Sequence, residues 1–157
     1  MQLADLICGA NRKIEQSIEA GLKPHGVSIE QYRVLMALSL SNAMPMGELA
    51  AKVFVDSPTL TKIIDKMVAT ADVYRGPDPQ DRRRVLVFLS DKGRNAFSNF
   101  QAIGVAAERR FVAKLGERRC SDLEKALLVL LAETGPGDGK ASGVVDGQNG
   151  QFADTTL

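Results

Sequence analysis

The residues best suited to contacting a charged partner are concentrated in the stretch VYRGPDPQDRRRVLVFLS, residues 73–90. Two strand-like runs, 73–75 and 84–89, flank a loop that contains glycine, prolines and three consecutive arginines. A guanidinium at the tip of such a loop can pair with a phosphate or enter a groove of double-stranded DNA. The alternative is a solvated turn in which arginines pair with the adjacent Asp78 and Asp81, and the two interpretations are compatible.

The residue types of this hairpin suggest a separate role for each basic side chain. We predict that Asp81 braces Arg83 as a bidentate partner, and that Arg82 or Arg83 enters a minor groove. Arg84 is assigned to the second strand, where a phosphate contact is expected. Arg75, in the first strand, completes the set of predicted DNA contacts in the hairpin.

A second candidate contact surface precedes the hairpin, in SPTLTKIIDKMVATA. Its apolar residues have the spacing of an amphipathic helix: Leu60, Ile63, Ile64, Met67 and Val68. An ordinary surface helix explains that apolar half, but it does not explain a start of short hydroxyl residues followed by lysines. Such side chains let a helix approach phosphates and base edges closely. The predicted DNA contacts are Ser57 as the N-cap, Pro58 at the first helical position, Thr59, Thr61, Lys62 and Lys66.

Three helices are predicted before this surface. An apolar stripe over residues 3–18 indicates the first, and a turn with glycine and proline at 21–26 ends it. Ser28 caps the second helix. The stretch SNAMP ends that helix, and GELAAKV forms a short third one.

Two helices are predicted after the hairpin. The first is long and is capped by Ser90, and the stretch LGERRC is predicted as a break between the two helices. The last helix is predicted to begin at a capping box of Ser121 and Glu124. Residues from Gly135 onward are rich in glycine and polar side chains and are predicted to form a flexible tail. The fold class is therefore mainly α (α+β): helices with a helix-turn-helix and a two-stranded wing.

Composition limits the function classes. The chain has 157 residues, 45% hydrophobic and 25% charged, which suits one globular domain or a core with a tail. A net charge of +1 means that any case for DNA binding depends on where the charge is located. No apolar run or basic lead-in indicates a membrane span or a secretory signal, and two distant cysteines favour a reduced, cytoplasmic protein. With one histidine and no phosphate loop or metal-ligand spacing, no catalytic residue, metal or cofactor is expected.

Several stretches together resemble the multiple-antibiotic-resistance regulator (MarR) family of winged-helix transcription factors. They are QYRVLMAL, GELAAKV, SPTLTKIIDKM and VYRGPDPQDRRRVLVFLSDKGR, and with the closing helix they cover roughly residues 3 to 133. The most specific is DPQDRRRVLVFLSDKGR, because such regulators carry Asp-Pro-x-Asp-x-Arg at the wing and a Lys-Gly-Arg helix start. One departure is Ala71, which stands where a glycine is usual, so the end of the preceding helix is expected to be shaped differently.

The resemblance implies an architecture and a mode of action. The expected divisions are a dimerisation helix at 1–27, a DNA-binding winged helix-turn-helix lobe at 28–90, dimerisation helices at 91–133 and the tail at 134–157. A homodimer would bind an inverted-repeat operator on double-stranded DNA. It would act as a repressor of a nearby operon, released by a small effector such as an aromatic or phenolic compound.

Regulatory residues are open to more than one interpretation. Arg12, His25 and Arg33 are candidate contacts for an anionic aromatic effector, although each also suits an ordinary surface. VFVDSPTLTK resembles the branch of the family that senses organic hydroperoxides through a cysteine in the first helix. This resemblance makes Cys8 a candidate redox site. The default interpretation of Cys8 is a buried structural cysteine. A winged-helix module used only for protein contacts is the third alternative.

Overall fold

The computed structural model describes residues 2–133, so the predicted tail lies outside the described residues. The elements are α1 (Leu3–Leu22), a 3₁₀ helix (Lys23–His25), α2 (Ile29–Ser41), β1 (Ala43–Pro45), α3 (Met46–Val53), α4 (Ser57–Ala69), β2 (Val73–Pro77), β3 (Val85–Leu89), α5 (Asp91–Leu115) and α6 (Glu117–Glu133). The described residues divide into two units, 2–117 and 118–133. Within the described residues, no helix is both long enough and apolar enough to cross a membrane.

The sheet has one strand more than the sequence predicted. Its order is β1-β3-β2, with both pairs antiparallel. Ala43 pairs with Phe88 and Pro45 with Leu86, so SNAMP, predicted only as a break, supplies the third strand. A strand of three residues that ends in proline has no periodicity to detect, and proline is tolerated there because β1 is an edge strand.

The core is formed where the helix-turn-helix packs on the sheet. Side chains from α2, α3, α4, β2 and β3 meet in one apolar cluster, and the largest fully buried ones include Leu38, Leu49, Leu60, Ile64, Met67 and Val87. The apolar stripe predicted for residues 57–69 is therefore confirmed for Leu60, Ile64 and Met67, with Ile63 partly buried, whereas Val68 is exposed. Its burial fixes which face of α4 points to solvent.

Helix starts agree with the predictions in α2 and α5 but not in α6. Ser28 and Gln31 form a reciprocal capping box, and Ser90 accepts a hydrogen bond from the Gly93 N–H. The break predicted in LGERRC is confirmed at Gly116, but it is shorter than predicted, and the cap at Ser121 is wrong because α6 runs without interruption from Glu117. Gly116 alone, with φ of 85°, separates α5 from α6, since the glutamate and arginines that follow it are good helix formers.

The two helices of the helix-turn-helix, α3 and α4, each end in a Schellman motif that contains no glycine. At the end of α3, the N–H groups of Phe54 and Val55 donate to the carbonyls of Ala51 and Ala50. At the end of α4, the N–H of Ala71 donates to the Val68 carbonyl. Phe54 and Ala71 both have φ of 58°, in the left-handed region. The prediction that Ala71 would change the shape of the helix end is wrong, because alanine adopts the conformation that glycine usually supplies.

Candidate nucleic-acid interface

The solvent face of α4 carries the six side chains of this helix that the sequence assigned to DNA contact. Those six are exposed: Ser57, Pro58, Thr59, Thr61, Lys62 and Lys66. The apolar residues of the same helix anchor it from behind, so the polar face is presented by a rigid element. Thr61 differs from Thr59 in one respect, because its hydroxyl donates to the Ser57 carbonyl at 3.0 Å.

The cap of α4 is Asp56 rather than Ser57. The Asp56 Oδ1 accepts a hydrogen bond from the Thr59 N–H at 2.7 Å, Ser57 becomes the first helical residue, and Pro58 the second. The hydrogen bonds from Thr59, with the nearby Lys62 ammonium, lower the pKa of the Asp56 carboxyl. The sequence signal was available, because aspartate is as good an N-cap as serine.

The wing tip exposes Arg82 and Arg83, as predicted, but its brace is different. Asp81 Oδ1 accepts from the Arg83 backbone N–H at 3.0 Å, so the aspartate fixes the turn rather than the guanidinium. Asp78 acts in the same way on the Gln80 N–H at 2.8 Å. Within residues 2–133, neither Arg82 nor Arg83 forms an ion pair. The expected bidentate Asp81–Arg83 pair is therefore wrong, and both tip guanidinium groups are unpaired there.

Arg84 is held by carboxylates at the base of the wing. It lies one residue before β3, not in the strand as predicted. Its Nη2 is 3.3 Å from Glu48 Oε1 on α3, and its Nη1 is 4.0 Å from Asp78 Oδ2. These contacts join the wing to the first helix of the helix-turn-helix.

Arg75 is joined to α4 in the same manner. Its Nη2 lies 2.7 Å from Asp65 Oδ1, on the solvent face of that helix. Neither partner is buried, so the pair contributes little to stability. The pair does join β2 to α4. It also neutralises the charge of Arg75, which was predicted to contact DNA.

The start of α5 holds the end of α4. The Ser90 hydroxyl shares its single proton between the carbonyl oxygens of Ala71 and Asp72, at 2.7 and 2.8 Å, and Lys92 donates to the Thr70 carbonyl. Lys92 Nζ is also 3.4 Å from Asp72 Oδ1. Gly93 allows this approach, since a Cβ there would lie 2.0 Å from the Asp72 carbonyl oxygen. The Lys-Gly-Arg start noted in the sequence therefore has a structural role in fixing the recognition surface.

The candidate effector contacts lie on three different elements. Arg12 is exposed on α1, and His25, in the 3₁₀ helix, has its ring centroid 5.2 Å from that of Phe100. Arg33 on α2 forms an ion pair with Glu15, with Nη2 2.7 Å from Oε1, and this hydrogen bond lowers the pKa of Glu15. Glu15 therefore already neutralises the charge of Arg33.

Cys8 is an exposed thiol on α1, so the default of a buried structural cysteine does not hold for it. No group of three or more histidine, cysteine or acidic side chains suited to a metal ion occurs within residues 2–133.

A helix-turn-helix with an exposed hydroxyl- and lysine-bearing second helix, followed by an arginine-tipped wing, defines a winged-helix DNA-binding protein. The family model described as "MarR family" matches residues 27–85. Over these residues the chain is similar to the MarR family of transcriptional regulators, which are not enzymes.

Individual relatives agree with this assignment. The chain is 32% identical over 93 residues to the HTH-type transcriptional regulator TtmR of Methylorubrum extorquens, a match that spans 59% of this chain and 48% of TtmR. The HTH-type transcriptional regulator SarZ of Staphylococcus aureus is 28% identical over 122 residues, covering 78% of this chain and 81% of SarZ. The structure of a mutant MarR from E. coli, complexed with operator DNA, is similar with a TM-score of 0.73 at 28% identity, over 82% of this chain and 93% of that one.

Proposed function

We propose that the chain acts as a homodimeric repressor that binds an inverted-repeat operator. The observation that carries this proposal is the exposure, on one lobe, of both the α4 face and the unpaired arginines of the wing tip. A two-fold symmetric pair of such lobes would place two α4 helices in successive major grooves, about 10 bp apart. Residues 28–90 would form the DNA-binding lobe, and residues 1–27 and 91–133 the dimerisation segments.

Exposed apolar side chains support dimerisation. Leu3, Leu6 and Ile7 are 68%, 54% and 39% exposed and lie at helical spacing on α1. On α6, Leu123, Leu128 and Val129 are 49%, 59% and 58% exposed. Apolar stripes of this kind mark interaction surfaces, and a second copy of the chain would cover them. Sedimentation at micromolar concentration tests the proposal: a dimer that Leu6→Glu dissociates is expected, and a stable wild-type monomer would contradict it.

DNA binding is tested by selecting duplexes from a random pool and measuring affinity against salt concentration. We expect an inverted repeat among the selected sequences and a linear fall of log affinity with log salt, because lysine and arginine contacts release counterions. Repression is tested separately with a reporter placed behind the selected site. Reporter expression that rises when the protein is present would exclude repression without excluding DNA binding.

An open cleft supports control by a small molecule. It has a volume of about 520 Å³ and is lined by α1 residues that include Glu19, by Lys23 of the 3₁₀ helix, by residues 26–28 and by Lys66 of α4. A volume of this size accepts an aromatic acid, and the two ammonium groups suit its carboxylate. A ligand there would contact both α1 and α4 and so bias the position of the DNA-contacting helix. Lys23→Gln should abolish release by an effective aromatic acid while DNA binding stays intact.

Thiol-based peroxide sensing is a second candidate function, favoured by the exposure of Cys8. Oxidation requires access to the sulfur, which a buried thiol lacks. The test is a Cys8→Ser variant on operator DNA: a wild-type complex that dissociates on hydroperoxide addition, with a variant that stays bound, is expected. Release of the variant as well would exclude Cys8 as the sensor.

A further inference from the structure

Phe54 adopts an unusual backbone conformation in the turn between α3 and α4. Its φ of 58° and ψ of 43° lie in the left-handed region, which bulky side chains rarely occupy. Glycine is the usual residue at this position of a Schellman motif. The side chain is nevertheless 69% exposed, so burial of the ring in the core of the lobe does not offset the unfavourable conformation.

The neighbours of Phe54 already provide what the turn needs. Val53 is fully buried, Val55 packs against the core, and Asp56 caps α4. The hydrogen bonds that close the turn come from backbone N–H groups, which glycine would supply equally well. Neither the core nor the turn therefore requires an aromatic ring at position 54.

In the chain, Phe54 lies three residues before the first residue of α4, the helix proposed to contact DNA. Phe54 lies just before Asp56, whose side chain fixes the N-terminal turn of α4, and Thr59 lies in that turn. In helix-turn-helix proteins the N-terminal residues of the second helix contact base edges in the major groove, and the thymine C5 methyl is the apolar group exposed there. We propose that Phe54 is a specificity-determining residue that packs against a thymine methyl group beside the bases contacted by α4. This inference rests on the proposed DNA binding by α4.

The first test separates strain from function by comparing Phe54→Gly with Ala71→Gly. Ala71 is the other non-glycine residue in a left-handed Schellman position, and it lies at the opposite end of α4. Both variants should raise the unfolding midpoint, by about 2–4 °C, because both relieve the same conformation. Only Phe54→Gly should weaken binding to the duplex selected with the wild-type protein, by about tenfold, as expected for losing part of the burial of a phenyl ring. Equal affinity of the two variants would overturn the proposal.

The second test identifies the partner group on DNA. Replacing single thymines of the selected duplex by uracil removes only the methyl group. At one thymine per half-site the wild type should lose about three- to fourfold in affinity, and Phe54→Gly should lose nothing further. The proposed base contact would be overturned if Phe54→Gly weakens binding but no thymine-to-uracil replacement affects the wild type more than the variant. A wild-type protein that selects no duplex at all would instead contradict the proposed function.

Discussion

Replacing Gly93 with alanine is expected to destabilise the fold strongly, because the start of α5 lies directly against the end of α4. The new Cβ would lie 2.0 Å from the Asp72 carbonyl oxygen and 2.9 Å from Leu89 Cδ1. Carbon–oxygen contacts are normally at least about 3.3 Å, so backbone must move by more than about 1 Å. That carbonyl also accepts hydrogen bonds from the Ser90 N–H and hydroxyl at 3.1 and 2.8 Å. Overpacking costs about 1–3 kcal/mol, and each of the two weakened hydrogen bonds costs about 0.5–1.5 kcal/mol. The free energy of unfolding is therefore expected to fall by about 2–6 kcal/mol.

Urea unfolding followed by circular dichroism measures this loss, with Gly47→Ala as the matched control. Gly47 is also in a helix, but a Cβ there would meet nothing within 4 Å. The control should be neutral or more stable by about 0.5–1 kcal/mol, since alanine is the better helix former. A Gly93→Ala protein that unfolds within about 0.5 kcal/mol of the wild type would refute the argument that α5 fixes the end of α4.

Three further predictions concern the interface itself. Arg83→Ala should weaken operator binding by about 1–3 kcal/mol in gel-shift titrations if the guanidinium reads a groove; an unchanged affinity would count against the wing assignment. Asp65→Asn should leave the unfolding free energy nearly unchanged, because the ion pair with Arg75 is exposed. It should steepen the slope of log DNA affinity against log salt concentration by about one phosphate contact, because Arg75 is released from the pair. A slope equal to that of the wild type would contradict this. The pKa of Asp56 is lowered in the folded state, so its carboxylate stabilises the fold above the unfolded pKa, and this stabilisation is lost as pH falls through the folded pKa. Asp56→Asn should therefore reduce the loss of unfolding free energy at acid pH, measured by urea unfolding at a series of pH values. An unchanged acid dependence would contradict the capping role of Asp56.

The sequence was informative where local pattern determines structure. The apolar spacing of Leu60, Ile64 and Met67 is sufficient to predict both the existence of α4 and the face it exposes. The hairpin was recognisable from its turn residues and alternation, although its strands differ from the predicted ones at their ends. In the turn between α5 and α6, local signals misled, because Ser121 and Glu124 satisfy a capping-box pattern inside a continuous helix.

Features that depend on tertiary contact could not be predicted. β1 is defined only by its pairing with β3, and nothing in the residues of SNAMP requires that pairing. The Arg84–Glu48 ion pair joins groups that are 36 residues apart, and its existence follows from where the wing packs. The left-handed conformation of Phe54 had no sequence signal either, since phenylalanine is among the residues least expected there.

The ion pairs determine where the hairpin of this nearly neutral chain carries unpaired positive charge. Two of the hairpin arginines, Arg75 and Arg84, have carboxylate partners on α4, α3 or the wing base. Arg82 and Arg83 have none within residues 2–133, so the uncompensated charge of the wing is confined to its tip. Non-specific affinity grows with the number of phosphates neutralised, so the two paired arginines of the hairpin are expected to add little to it. If the chain binds DNA as proposed, discrimination between sequences depends on the shape of the groove at the wing and on close contacts made by α4 and its preceding turn, rather than on overall charge.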